Sequence, residues 1–174
     1  FTFPNSWPEG YSRGDFIEIV VRGEREFTSY PLKYVFGKEI HRAVRNFFMN
    51  GGDTAHLFII CASSMDDLTS AMSLEDVLGD VLYRLRAEED ISILNVPQAA
   101  YLPIQMYQNG DIFCGCEPIY QVLLQHCSEM NNRFLIMDTP ENLHEELLVR
   151  WVRQLRQRNL QTGQFGAIYY PWIC

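Results

Sequence analysis

No stretch of this 174-residue chain comes near the roughly 18 consecutive apolar residues of a membrane helix. Membrane insertion is therefore not expected. The start carries no basic segment followed by an apolar one, so no secretory leader is expected either. Cysteine is sparse and odd in number: Cys61, Cys114, Cys116, Cys127 and Cys174. Without a secretory signal, that count argues for reduced thiols and synthesis in the cytoplasm. The one close pair, Cys114-Gly-Cys116, is spaced too tightly for common zinc sites, and no second pair of Cys or His matches it. No metal is expected. Also missing are a glycine-rich dinucleotide turn after a strand, a phosphate-binding loop with lysine and a serine elbow between glycines. No cofactor is expected from that record. Basic residues are outnumbered by acidic ones, 14 to 22, giving a formal charge of −8 that makes nucleic acid an unsuitable partner. The chain opens on Phe1 rather than Met, as a fragment or a processed chain would.

What is present is apolar material for one core. At 47% hydrophobic residues the chain should form one soluble domain, large enough to bury roughly two thirds of its unfolded surface. Residues 1–15, with Pro4, Pro8, Gly10 and Gly14 among isolated aromatics, show no period and read as an arm or entry loop. Residues 16–174 then read as a single α/β domain. Phe16 to Val21 is a strand, ended by Arg22-Gly23-Glu24. Ile40, Val44, Phe47 and Phe48 mark one face of a helix that stops at Asn50-Gly51-Gly52. A phosphate cradle would put those glycines between a strand and a helix in that order; here the order is reversed, so a helix C-cap is expected.

Leu57 to Ala62 is a continuous apolar run, expected as a central strand covered on both faces, with Cys61 a small hydrophobe within it. Ser73-Leu-Glu-Asp76 opens a helix whose stripe is Leu74, Val77, Leu78, Val81, Leu82 and Leu85. Ile91 to Val96 is the next strand, and residues 98–115 hold no period. That long loop reads either as a surface insertion meeting a neighbouring subunit or as a simply tolerated one. Pro118 opens a helix with Ile119, Val122, Leu123 and Met130 inward, and Arg133 to Met137 is a strand. Thr139-Pro140-Glu141 reads as a helix start, with Leu143, Leu147, Leu148, Trp151 and Leu155 on the buried side. Arg150, Arg153, Arg156 and Arg158 occupy the other side, either a solvated face or a basic patch for an acidic partner. Ala167 to Tyr170 is the last strand, stopped by Pro171. Tyr169 and Tyr170 point to opposite faces of a sheet, so both faces there must be covered or must meet a partner. Strand and helix alternate throughout, which predicts a mostly parallel sheet with helices on both faces.

Chemistry is sought at the carboxyl ends of such strands. The best enzyme constellation is Ser63 or Ser64, Asp138 and one of His41, His56, His126 or His144. It would serve an α/β hydrolase-like enzyme, the alternative to a structural role. None of these residues has diagnostic spacing. His126 and His144 fall in helical patterns where a surface position is the default, and Asp138 is explained as turn chemistry. No catalytic, cofactor or metal residue is assigned, and the chain is expected not to be an enzyme. A small-ligand module lacks a loop of convergent backbone amides.

Two stretches carry a family resemblance. Gly-Ala-Ile-Tyr-Tyr-Pro-Trp-Ile at the end of the chain resembles the segment closing the central domain of contractile phage tail sheath proteins and sheaths of related contractile injection systems. Upstream, Phe27-Thr-Ser-Tyr, Tyr34-Val-Phe-Gly37, Ala43-Val44 and Phe47-Phe48-Met-Asn-Gly-Gly52 are similar to a sheath run preceding a core strand. Together the matches bracket residues 27–173. The resemblance implies a core α/β domain, sometimes called subtilisin-like, without the protease's motifs. It implies a homo-oligomer that surrounds an inner tube protein, meets baseplate or terminator proteins and contracts, with a place in a virion tail or contractile particle. Sheath subunits usually continue into a further domain where this chain stops, so it reads either as a fragment of a longer subunit or as a short relative. Phe36, Gly37, Asn50, Gly51, Tyr170, Pro171 and Trp172 are expected as core and turn determinants.

Overall fold

A computed structural model of the chain describes residues 10, 12–29, 37–62, 66–69 and 71–170. Ser63, Ser64, Phe36, Pro171, Trp172 and most of the expected arm lie outside the described residues. The fold class is α/β, with a three-stranded parallel sheet flanked by helices.

Strand β1 (Phe16–Arg22) pairs antiparallel with β2 (Thr54–Ile60) as a two-stranded ribbon. Between them run α1 (Glu24–Ser29) and α2 (Gly37–Met49). After β2 come α3 (Asp66–Thr69) and α4 (Ala71–Ala87), then β3 (Ile93–Asn95). A short 3-10 turn, Pro97–Tyr101, leads to the hairpin β4 (Ile104–Met106) and β5 (Ile112–Cys114). Helix α5 (Glu117–Met130), strand β6 (Phe134–Asp138), helix α6 (Glu145–Arg158) and strand β7 (Gly166–Tyr169) complete the chain. The parallel sheet has the order β3–β6–β7.

The apolar run around Leu57 is covered on both faces, as its composition requires, but it is not in the parallel sheet. Leu57 and Ile59 pack on a small core of Val21, Phe27, Val44 and Phe48, while Phe58 and Ile60 reach the main core. A two-stranded ribbon clasped between two cores consumes the same double-sided apolar pattern as a central strand, so composition could not tell them apart. Residues 12–15, expected in the arm, extend this ribbon: Gly14 N–H donates to the Cys61 carbonyl at 3.0 Å.

Three further expectations give way. Residues 98–115 are a 3-10 turn and a hairpin rather than an irregular loop; strands of three residues are too short to display a period of two, and Asn109-Gly110 is the hairpin's turn. Thr139-Pro140-Glu141 does not start a helix. The Glu141 N–H is held by the Ala100 carbonyl at 3.0 Å, which keeps the chain off the helix path until His144 takes the N-cap position of α6. Coverage of the parallel sheet differs too. Leu94, Leu135 and Met137 are buried beneath α5, and a Cβ on Gly166 would stand 2.7 Å from Leu124 of that helix. On the opposite face Ile93, Phe134 and Tyr169 are 56%, 38% and 64% exposed, so no second layer of described residues covers them. Tyr170 is exposed as well.

Candidate functional site

The expected constellation does not assemble among the described residues. His41, on α2, stacks against Phe27 with ring centroids 5.1 Å apart. His56, on β2, meets Glu18 of β1 through Nδ1 at 3.2 Å, and the same carboxylate takes Arg84 Nε at 2.9 Å. This triad pins the ribbon to α4. His144 is exposed at the start of α6. Asp138 ends β6, where its Oδ2 accepts from Asn95 Nδ2 at 3.1 Å and its carbonyl accepts from the Tyr120 hydroxyl at 2.8 Å. Among the described residues no hydrogen bond joins Asp138 to a histidine. A depression near this end of the sheet is lined by Glu141, Asn142, His144, Glu145 and Tyr170, together with Leu143. Its side chains present carboxylates and an imidazole to solvent without a buried or converging polar group, which gives a substrate little to hold.

His126 contradicts its expected surface position: it is fully buried. The reason lies outside its helix. Arg133, just before β6, is buried too and donates through Nη1 to the Leu85 carbonyl at 2.6 Å and through Nη2 to the Glu88 carbonyl. Leu85 lies in the last turn of α4 and Glu88 just beyond its end, where carbonyls run short of helical N–H partners; the Leu85 carbonyl also takes the Glu88 N–H at 3.2 Å. His126 Nε2 lies 2.9 Å from the same Nη1, so it is the acceptor, and the imidazole's proton sits on Nδ1. Burial first, then the positive charges of Arg133 and Arg86, push the His126 pKa down to about 4, with Glu129 opposing. The guanidinium of Arg133 is likewise lowered by its burial.

A second polar knot joins the hairpin to two helices. Glu117, at the start of α5, is buried and accepts from the Cys114 N–H and from Trp151 Nε1, each at 3.0 Å, while Arg158 pairs with its other oxygen. Arg150, Arg153, Arg156 and Arg158 are all exposed as expected, and Arg158 in addition reaches the buried Glu117. A carboxylate buried in this way needs all its partners. The sequence signal was present but ambiguous, because an acid before Pro118 reads first as a helix-dipole residue.

The cysteine pair is inert chemistry. Cys114, Cys116 and Cys127 are buried and reduced. The hydrogen bond that the Cys116 thiol makes to Cys114, then burial, drives it far above its ordinary pKa, and burial pushes Cys127 up to about 11. Neither offers a thiolate at neutral pH. Gly51 has the positive φ of 89° required of a helix stop, and its N–H donates to the Phe48 carbonyl, which bears out the C-cap reading.

No protein-family model matches the chain, and no curated protein matches it.

Proposed function

We propose that this chain is a structural subunit of a contractile tail or injection-machine sheath, acting by the way its copies abut rather than through a reactive group. The observation that carries the reading is the open apolar face of the parallel sheet. On this face Ile93 and Phe134 stand exposed side by side at the start of their strands, and Tyr169, beside Asp138, is exposed at the opposite end, where a self-sufficient α/β domain would place cover. The consumption of His56, His126, Glu117 and Arg158 in internal contacts is in keeping with it. The resemblance of residues 27–52 and 166–173 to sheath proteins supplies the kind of assembly. Its partners are further copies, an inner tube protein, and baseplate or terminator proteins, in a virion tail or contractile particle. Contraction on this reading exchanges one set of contacts between intact domains for a lower-energy set.

Negative-stain images of the protein with its tube protein test this. Tubes or rings are expected, and Ile93→Ser with Phe134→Ser should abolish them while changing monomer stability by no more than about 1 kcal/mol. A protein that never assembles with the tube protein present, or covalent labelling of Ser63 or Ser64 by a serine-reactive probe, would refute the proposal.

A further inference from the structure

Among the described residues, two helix faces left without ion-pair partners have opposite charge. On α6, Arg150, Arg153 and Arg156 are exposed around Val149, and none makes an ion pair among the described residues. On α4, Glu75, Asp76 and Asp80 are exposed around Tyr83, which is 77% accessible, and they too lack ion-pair partners among the described residues. At 100° per residue each set falls on one side of its helix. At about 1.5 Å of rise per residue, the arginines span about 9 Å and the acids about 7.5 Å, so the two stripes match in length. The arginine stripe is the more telling one, since the chain as a whole carries a charge of −8.

We propose that the arginine face of α6 docks on the acidic face of α4 of a second copy. The two faces differ, so the contact is head to tail, and each copy keeps one face free to extend the series into a ring or a helix. Polarity fixes the crossing. Glu145 and Glu146 open α6 and Arg156 and Arg158 close it, while α4 carries Glu75, Asp76 and Asp80 beyond its first turn and closes on Arg84 and Arg86. An antiparallel approach lays the basic half of α6 over the acidic half of α4. Val149 and Tyr83 give the contact an apolar centre, and the Tyr83 ring can take an arginine on its face. A patch of two helix faces buries less than the roughly 1,000 Å² of a stable dimer, so the single contact is weak and gains strength by repetition. The inference deepens the sheath reading and rests on it for the number of copies.

The test is a charge swap followed by sedimentation velocity over a concentration series. Arg150→Glu/Arg153→Glu/Arg156→Glu and Glu75→Lys/Asp76→Lys/Asp80→Lys should each stay monomeric, with thermal unfolding near that of the parent. Mixed in equal amounts they should associate again, because both junctions of an alternating series become complementary. Each reversal alone should weaken association at least tenfold, equivalent to about 1.4 kcal/mol. Salt provides an arm needing no variant: raising it from about 0.05 M to about 0.5 M should dissociate the parent, whereas an apolar contact would hold. Single reversals that sediment like the parent, a mixture that stays monomeric, or salt-insensitive association would each overturn the docking. If those variants still build tubes with the tube protein, the docking is wrong and the sheath reading stands. If the swap behaves as expected and no tube or ring ever forms, the docking stands and the sheath reading falls.

Discussion

Acidification should weaken this fold through a single imidazole. His126 accepts a hydrogen bond from Arg133 only while its Nε2 is unprotonated, and protonation sets two cations face to face in a buried site. Its pKa is about 4 in the folded chain against 6.5 for an open one. A lowered histidine pKa means that the unfolded state binds more protons between those values. The stabilising difference is therefore complete above about pH 6.5, shrinks as pH falls toward 4, and is gone below it. Roughly 2.5 units at about 1.4 kcal/mol each give about 3 kcal/mol. With a urea slope of about 2 kcal/mol per molar, the midpoint should drop by about 1.5 M between pH ~7 and pH ~4 from this group alone.

Other groups titrate in the same window, so the measurement is a comparison. Glu129, held below the usual carboxylate range by Gln125 and Arg86, also responds to acid. His126→Gln removes only the imidazole's titration. Its amide oxygen can take over the Arg133 bond, so the carboxylate contribution is shared with the parent and cancels. The parent should lose about 3 kcal/mol more than the variant between pH ~7 and pH ~4. Equal losses in the two proteins would refute the assignment of His126 as the neutral acceptor.

Two other perturbations follow from the packing. Glu117→Ala strands the Trp151 indole N–H, the Cys114 amide and the Arg158 charge, and should cost about 3–5 kcal/mol in urea unfolding, with a loss below about 1 kcal/mol counting against the knot. Gly166→Ala forces a methyl against Leu124, Met137 and the Leu135 carbonyl, the last at 3.1 Å and unable to swing away, and should cost about 1–3 kcal/mol. Gly163→Ala, facing open space, is the control and should be neutral or stabilising by up to about 1 kcal/mol; equal losses at the two glycines would refute the packing argument.

The candidate site was less legible than the fold, and His126 shows why. Its helical spacing ranks it with surface residues, because periodicity describes a helix against one core face. Helix α5 is covered on more than one side, by α4 as well as by the sheet, and Arg133 reaches it from a loop seven residues on. Arg158 is exposed with the other three arginines, as its pattern implies, but its pairing with a carboxylate 41 residues upstream is not in that pattern. Both pairings depend on contacts between elements distant in sequence, Arg133 with the Leu85 carbonyl and Arg158 with Glu117, which leave no trace in local spacing.

Apolar periodicity and breaker residues were enough to define β1, β2, α2, α4, α5, β6 and β7 to within a few residues, and α6 in all but its start, together with the Gly51 stop, because those are matters of local burial and backbone freedom. Tertiary structure alone decided which strands pair. The sequence of Leu57 to Ile60 demands cover on two sides and is equally content in a ribbon or a sheet, and three-residue strands such as β4 and β5 have no pattern to read. It also decided that Ile93, Phe134 and Tyr169 stay in the open, since an apolar residue records only that it prefers cover and not whether its own chain provides it.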